Sequence, residues 1–165
     1  MATVTLGGNP THTSGDLPTI GSQAPAFSLI DTNLTPVQLA DFAGQNVILN
    51  IFPSIDTPTC ATSVRKFNTL ASQLPNTKVV CVSRDLPFAQ KRFCGSEGLE
   101  NVSNLSDFQE ASFGKAYGVL LTDGKLAGLH ARAIVVINGA GEVVHTELVA
   151  EIANEPNYDA ALQSL

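Results

Sequence analysis

Two nearly continuous apolar runs dominate the hydrophobic pattern, Val47-Ile48-Leu49-Asn50-Ile51-Phe52 and Lys78-Val79-Val80-Cys81-Val82. Runs of this kind, rich in β-branched residues and without alternation, belong to strands covered on both faces of a parallel sheet. Between them the period changes. Positions 60, 64, 67, 71 and 74 carry Cys, Val, Phe, Ala and Leu. Spacings of three and four draw one buried face along a helix. Strand, helix and strand within about thirty-five residues make a βαβ unit, whose crossover is expected to be right-handed.

Shorter patterns flank this unit. Thr3-Val4-Thr5-Leu6 alternates, turns through Gly7-Gly8-Asn9-Pro10 and resumes with Thr11-His12-Thr13, which predicts a small β-hairpin. A Pro/Gly/Ser-rich connector from Gly15 to Pro25 leads into a half-buried strand, Phe27-Ser28-Leu29-Ile30. A second hairpin is expected from Ala133-Ile134-Val135-Val136-Ile137, the turn Asn138-Gly139-Ala140-Gly141, and Glu142-Val143-Val144-His145-Thr146. Helices are expected at Pro87 to Cys94, Asp107 to Tyr117 and Pro156 to Leu165, the last with proline in its first turn. The order predicts an α/β protein of thioredoxin-like fold, with a mixed central sheet flanked by helices and an N-terminal β-hairpin. No repeat, low-complexity tract or charge block divides the chain, so residues 1–165 are expected to form a single domain with residues 1–14 as a hairpin extension.

Composition narrows the function. With 165 residues, 44% of them hydrophobic and 15% charged, the chain is expected to fold rather than remain disordered. At this size a core buries roughly 70% of the unfolded surface, enough to stand without disulfides. Nine Lys and Arg against 15 Asp and Glu give a net charge of −6 with no basic cluster, which argues against nucleic acid or an anionic membrane as partner. A small solute or another protein is expected instead. The opening MATVTLGGNPTHTSG lacks the basic start and apolar stretch of a secretory signal, and no apolar run approaches the ~20 residues of a membrane span. Three cysteines cannot close into a set of structural bridges, and they fit a reducing cytoplasm, the expected location.

The chemistry concentrates in Phe52-Pro53-Ser54-Ile55-Asp56-Thr57-Pro58-Thr59-Cys60, which joins the first apolar strand to the first helix. Thr57 is a good N-cap and Pro58 a good first helical residue, so Cys60 falls at the third helical position. Its sulfur then lies near free backbone N–H groups and the positive end of the helix dipole, both of which favour thiolate over thiol. The same segment leaves the carboxyl end of a sheet strand, where ligands bind in open α/β folds. Cys60 also shares its stripe with Val64 and Phe67, so core filling is the alternative reading of the same residue.

Pro53, Thr57 and Cys60 stand as P-x-x-x-T-x-x-C in the form PSIDTPTC, which resembles the peroxidatic-cysteine motif of peroxiredoxins. Around it, NIFPSIDTPTCATSVRKFN, VSRDLPFAQKRFCG and LHARAIVVIN resemble the thiol peroxidase branch, the atypical two-cysteine peroxiredoxins, over essentially the whole chain. The resemblance implies that Cys60 is the peroxidatic thiolate, that Thr57 offers its hydroxyl to sulfur or peroxide, that Pro53 shields the sulfur from water, and that Arg132 holds the anion. Arg132 opens the predicted strand Ala133 to Ile137 and can reach the same end of the sheet; a strand-edge surface arginine is its alternative. The resemblance further implies that Cys94 is the resolving cysteine of the same subunit, closing a Cys60–Cys94 redox disulfide. It implies reduction of hydrogen peroxide or alkyl hydroperoxides, recycling by a thioredoxin-type reductant, no metal or organic cofactor, and a homodimer packed near the active-site loops.

The residues around Cys94 read consistently with such a role. Pro87 to Cys94 is a short helix, Gly95-Ser96-Glu97-Gly98 reads as its break, and short helix ends open cheaply. Packing beside Phe93 is the alternative. Cys81, inside an apolar strand, is assigned to packing. Arg65 and Lys66 read as a solvated face, and Phe42, Phe67, Phe88 and Phe93 as core or pocket walls. Other functions find less support. The cysteines at 60, 81 and 94 and the histidines at 12, 130 and 145 contain no metal-binding spacing, and Thr57 stands where a dithiol oxidoreductase would place its first cysteine. A cysteine hydrolase would need His130 or His145 as base, and both read as loop and strand-surface residues. A thioredoxin-fold binding module without turnover is the alternative from a different class.

Overall fold

The computed structural model describes residues 1–165. The two apolar runs become β5 (Asn46–Ile51) and β6 (Thr77–Ser83), paired in parallel at the centre of a seven-stranded sheet. Both are buried on both faces because helices cover each side. The helix between them, α1 (Pro58–Ala71), returns the chain across one face, and α2 (Pro87–Glu97) repeats the move from β6 to β7 (Val102–Ser106). Four antiparallel strands complete the sheet: β3 (Ser28–Asp31), β4 (Pro36–Gln38), β8 (Ala133–Ile137) and β9 (Val143–Leu148), in the order β4-β3-β7-β6-β5-β8-β9.

Alternation within the strands separates two cores. Leu49, Ile51, Val80, Val82 and Val135 meet Phe27, Phe113 and Tyr117 on one side. Phe113 and Tyr117 lie on and beside α3 (Ser112–Ala116) and stack at 4.4 Å between ring centroids. On the other side Ile48, Val79, Ile134 and Val136 meet Phe67 of α1 and Tyr158 of α4 (Tyr158–Gln163). The N-terminal hairpin, β1 (Thr3–Leu6) and β2 (Asn9–His12), turns on Gly7 and Gly8 alone, with φ of 58° and 82°. Two successive positive φ values make the hairpin turn whose twist suits its strands, so Asn9 and Pro10 belong to β2 rather than to the turn. No helix is long and apolar enough to cross a membrane.

The sequence expectations need correction at several boundaries. Helix α1 stops at Ala71, and Leu74 packs against the core from the following turn. Helix α2 runs through the expected break to Glu97 and ends on Gly98 in the left-handed conformation, so Cys94 is an interior helical residue. The segment expected to be helical from Asp107 to Tyr117 is a loop followed by five helical residues, since the buried Asp107 carboxylate accepts from the Phe113 and Gly114 amides and fixes where α3 starts. Helix α4 is capped by Asn157, whose side chain accepts from the Ala160 amide, so Pro156 lies outside it. Strands β4 and β7 carry no alternating or continuous apolar pattern that would mark them in the sequence.

Candidate active site

Cys60 occupies the third position of α1, with Pro58 first and Thr57 in extended N-cap conformation. Thr57 does not cap, however. Its hydroxyl donates to the Ser54 carbonyl at 2.9 Å, so the amides of the first turn have no side-chain cap. This ties the 54–57 turn together and preserves the positive helix end beside the sulfur. Cys60 has no solvent-exposed surface, and Pro53 is buried in the same loop.

Arg132 reaches Cys60 through strand register. Ile51, the last residue of β5, pairs with Ala133, the first of β8, so the residue before β8 stands at the carboxyl end of β5. The guanidinium is 2% exposed; Nε donates to the Ile152 carbonyl at 2.8 Å and Nη2 lies 3.4 Å from Cys60 Sγ. Nη1 is buried without a partner, and no carboxylate forms a salt bridge with this arginine. A buried cation without a counter-ion is costly, so the space beside the guanidinium suits an anionic group. The surface-edge alternative for Arg132 is thereby excluded.

Cys94 is half-buried on α2, and its sulfur receives the Asn104 Nδ2 amide of β7 at 2.9 Å. Burial pushes the Cys94 thiol up, the Asn104 donor opposes this, and the Glu97 charge adds to the rise. One flank of Cys94 borders a cleft of about 490 Å³ walled by Phe42, Leu99, Val102 and Leu105. Its helix neighbour Phe93 joins the apolar cluster that holds Cys60, Val64 and Cys81. Cys81 is fully buried and its thiol is pushed up to about 12 by that burial, in keeping with a packing role. All three thiols are free.

Side chains beyond the motif complete the site. The Asp85 carboxylate, just beyond β6, accepts from Ser54 Oγ at 2.7 Å and from the Ile55 amide at 2.8 Å, anchoring the Cys60 loop to the sheet. Asp85 and Asn104 were not singled out in the sequence; the one available signal was that Asp85 lies at a strand's carboxyl end just before a proline-initiated helix. Arg65 and Lys66 are more than a solvated face: Arg65 forms a forked pair with Glu97 and lies over the Phe93 ring at 5.4 Å, while Lys66 lies over Tyr158 at 4.5 Å. Phe88 is no core wall, being 66% exposed.

His130 also departs from expectation. It is fully buried, with Nε2 2.9 Å from Asp107 Oδ2, and serves the start of α3 rather than Cys60. The sulfur's polar side-chain contact is Arg132, not a histidine, which removes the base that a cysteine hydrolase requires.

Residues 19–162 match the Redoxin family model. The chain is 58% identical over 165 residues to the thiol peroxidases of Mycobacterium tuberculosis (strain ATCC 25618 / H37Rv) and Mycobacterium bovis, covering 100% of this chain and 99% of each relative. Among solved structures it is similar to a peroxiredoxin-like protein from Aquifex aeolicus, with a TM-score of 0.93, 39% identity and coverage of 99% and 95% of the two chains. A thiol peroxidase from Chromobacterium violaceum follows at a TM-score of 0.90 and 26% identity, with coverage of 98% and 93%. A thioredoxin-like sheet with a cysteine at the start of its first long helix, an arginine on the sulfur, and full-length likeness to these proteins establish that the chain belongs to the redoxin family and, within it, to the thiol peroxidases.

Proposed function

We propose that this protein reduces hydrogen peroxide or alkyl hydroperoxides through Cys60 and closes a Cys60–Cys94 disulfide within one subunit. The observation that carries the reading is the buried Arg132 guanidinium 3.4 Å from Cys60 Sγ with no carboxylate to neutralise it. The Cys60 thiolate attacks one peroxide oxygen, the O–O bond breaks, and the departing alkoxide or hydroxide takes a proton to leave as alcohol or water. Cys60 becomes a sulfenic acid. Arg132, through its unpartnered Nη1, receives the charge that develops on the peroxide oxygens. Thr57 turns its hydroxyl from Ser54 to the bound peroxide, and Pro53 keeps water from the sulfur.

Cys94 then attacks the Cys60 sulfur; the S–S bond forms as the hydroxyl leaves with a proton as water. Since Cys94 lies in the interior of α2, this step requires the last turns of that helix to unwind. A thioredoxin-type dithiol returns two electrons and two protons, restoring both thiols. The three free thiols suit a reducing cytoplasm, and Leu86 and Phe88, 51% and 66% exposed at the start of α2, support a homodimer packed beside the Cys60 loop.

The test is peroxide consumption with a dithiol reductant, paired with mass spectrometry of the oxidised protein. Cys60→Ser is expected to lose turnover with the fold intact. Given one equivalent of peroxide and no reductant, Cys94→Ser is expected to form the Cys60 sulfenic acid and no disulfide. Steady-state turnover in Cys60→Ser, or no Cys60–Cys94 peptide pair in oxidised wild type, overturns the reading; a binding module without turnover would consume no peroxide.

A further inference from the structure

Asp85 stands where the two moving parts of the proposed cycle meet. Its carboxylate accepts from Ser54 Oγ at 2.7 Å and the Ile55 amide at 2.8 Å, both in the loop that leads to Cys60. It also accepts from Ser83 Oγ at 2.6 Å, a buried residue at the end of β6. Ser83 Oγ in turn accepts from Gln90 Nε2 of α2 at 3.2 Å, and the same amide donates to the Leu105 carbonyl of β7 at 3.1 Å. Gln90 is 1% exposed and lies one helical turn before Cys94. The Asp85 carbonyl accepts from the buried Ser106 hydroxyl, which fixes the carboxylate's own backbone to β7. One carboxylate thus connects the Cys60 loop, the end of the sheet and the Cys94 helix.

We propose that Asp85 is a positioning residue that keeps the Cys60 loop and the Cys94 helix locked together, and thereby sets how the Cys60 sulfenic acid divides between the disulfide and further oxidation. The inference rests on the roles proposed above for Cys60 and Cys94. While Asp85 holds its partners, Cys94 stays on α2 and the sulfenic acid waits. A second peroxide can then transfer one oxygen to it, giving a sulfinic acid and releasing alcohol or water. Releasing the Asp85 contacts frees the Cys60 loop directly and, through Ser83, weakens the Gln90 anchor one turn before Cys94, so the last turns of α2 unwind more readily and the Cys94 sulfur reaches Cys60 sooner. The exposed Arg92–Asp56 pair at 3.1 Å spans the same two segments, but its exposure makes it a weak contact. The charged hydrogen bonds of Asp85 are partly buried and carry more of the restraint.

The experiment measures, by mass spectrometry, the fraction of Cys60 converted to sulfinic acid against the fraction bridged to Cys94 at a series of peroxide concentrations. Asp85→Ala is expected to lower the ratio of sulfinic acid to disulfide by about tenfold, and Ser54→Ala, which removes one of the carboxylate's contacts together with the acceptor of the Asp56 amide and keeps the carboxylate, by about threefold. Val136→Ala, a core change remote from the loop, measures what general loosening does to the ratio. An unchanged or raised ratio in Asp85→Ala and Ser54→Ala overturns the proposal, as does an equal fall in Val136→Ala. If Asp85→Ala does not fold, Ser54→Ala against Val136→Ala decides alone. Failure of the underlying reading shows separately, as wild type that never forms the Cys60–Cys94 bridge.

Discussion

Arg132 brings a full positive charge into the protein interior and meets a sulfur rather than a carboxylate. That choice of partner makes the residue's contribution measurable. Arg132→Ala is expected to slow the first oxidation of Cys60 by ~10²–10³, the size typical of removing a donor that stabilises developing charge. Arg132→Lys is expected to recover only part of this, because a single ammonium cannot replace the fork that spans the Ile152 carbonyl and the Cys60 sulfur. Stopped-flow measurement of sulfenic acid formation checks both; a Lys variant as fast as wild type would show that charge alone is enough. The sequence made Cys60 legible because Thr57 and Pro58 place it on the helix within a few residues. It did not make the Asn104 donor on Cys94 legible, because nothing in Val102-Ser103-Asn104 indicates which thiol it faces.

Among the elements, the apolar strands and α1 followed from periodicity, and β7 escaped it. Two of the three buried residues of β7 are polar, Asn104 and Ser106, and they bond to Cys94 and to the Asp85 carbonyl. A strand that donates its side chains to a site loses the apolar signature by which strands are recognised. Helix α2, at 11 residues, is shorter than the ~12–15 that isolated helices need, so it persists through Phe93, Gln90 and the Arg65–Glu97 pair rather than through its own propensity. Helix α1 is anchored by Phe67, which is fully buried and sits 5.1 Å from the Tyr158 ring centroid. Phe67→Ala is expected to destabilise the protein by about 3–5 kcal/mol, seen as a lower urea midpoint with unchanged slope. A loss under about 1 kcal/mol would mean that the α1–α4 packing does not bear on stability.

At the scale of the whole molecule, the hairpin is joined to the site by a surface carboxylate. Glu151 accepts from Thr5 Oγ1 at 3.0 Å, from the Gly8 amide at 2.8 Å and from the Ala153 amide at 2.9 Å. It flanks Ile152, whose carbonyl holds Arg132. The Ala153 and Gly8 amides, with lesser help from Thr5, hold the carboxyl down at about 2 from an ordinary 4.5. Because the folded value is the lower one, the stability that Glu151 lends is complete above about pH 4.5 and is lost as pH falls toward about 2. The protection of the Gly8 amide, its exchange relative to an unstructured peptide at the same pH, is expected to fall across that window in wild type, while Glu151→Gln shows low protection with no such step. Equal acid profiles in the two proteins would remove Glu151 from the docking of the hairpin. Taken alone, the sequence determined the features written within a few residues of one another: the doubly covered strands, the stripe of α1, the glycine turn of the hairpin and a thiol at the start of a helix. These depend on local backbone geometry and periodicity, which short stretches of chain specify. Only the tertiary structure decided that Arg132 meets a sulfur 72 residues away, that Asp85 ties two segments together and that Asn104 faces Cys94. Strand register and crossover place those pairs, and both are set by the burial of the whole sheet rather than by any single segment.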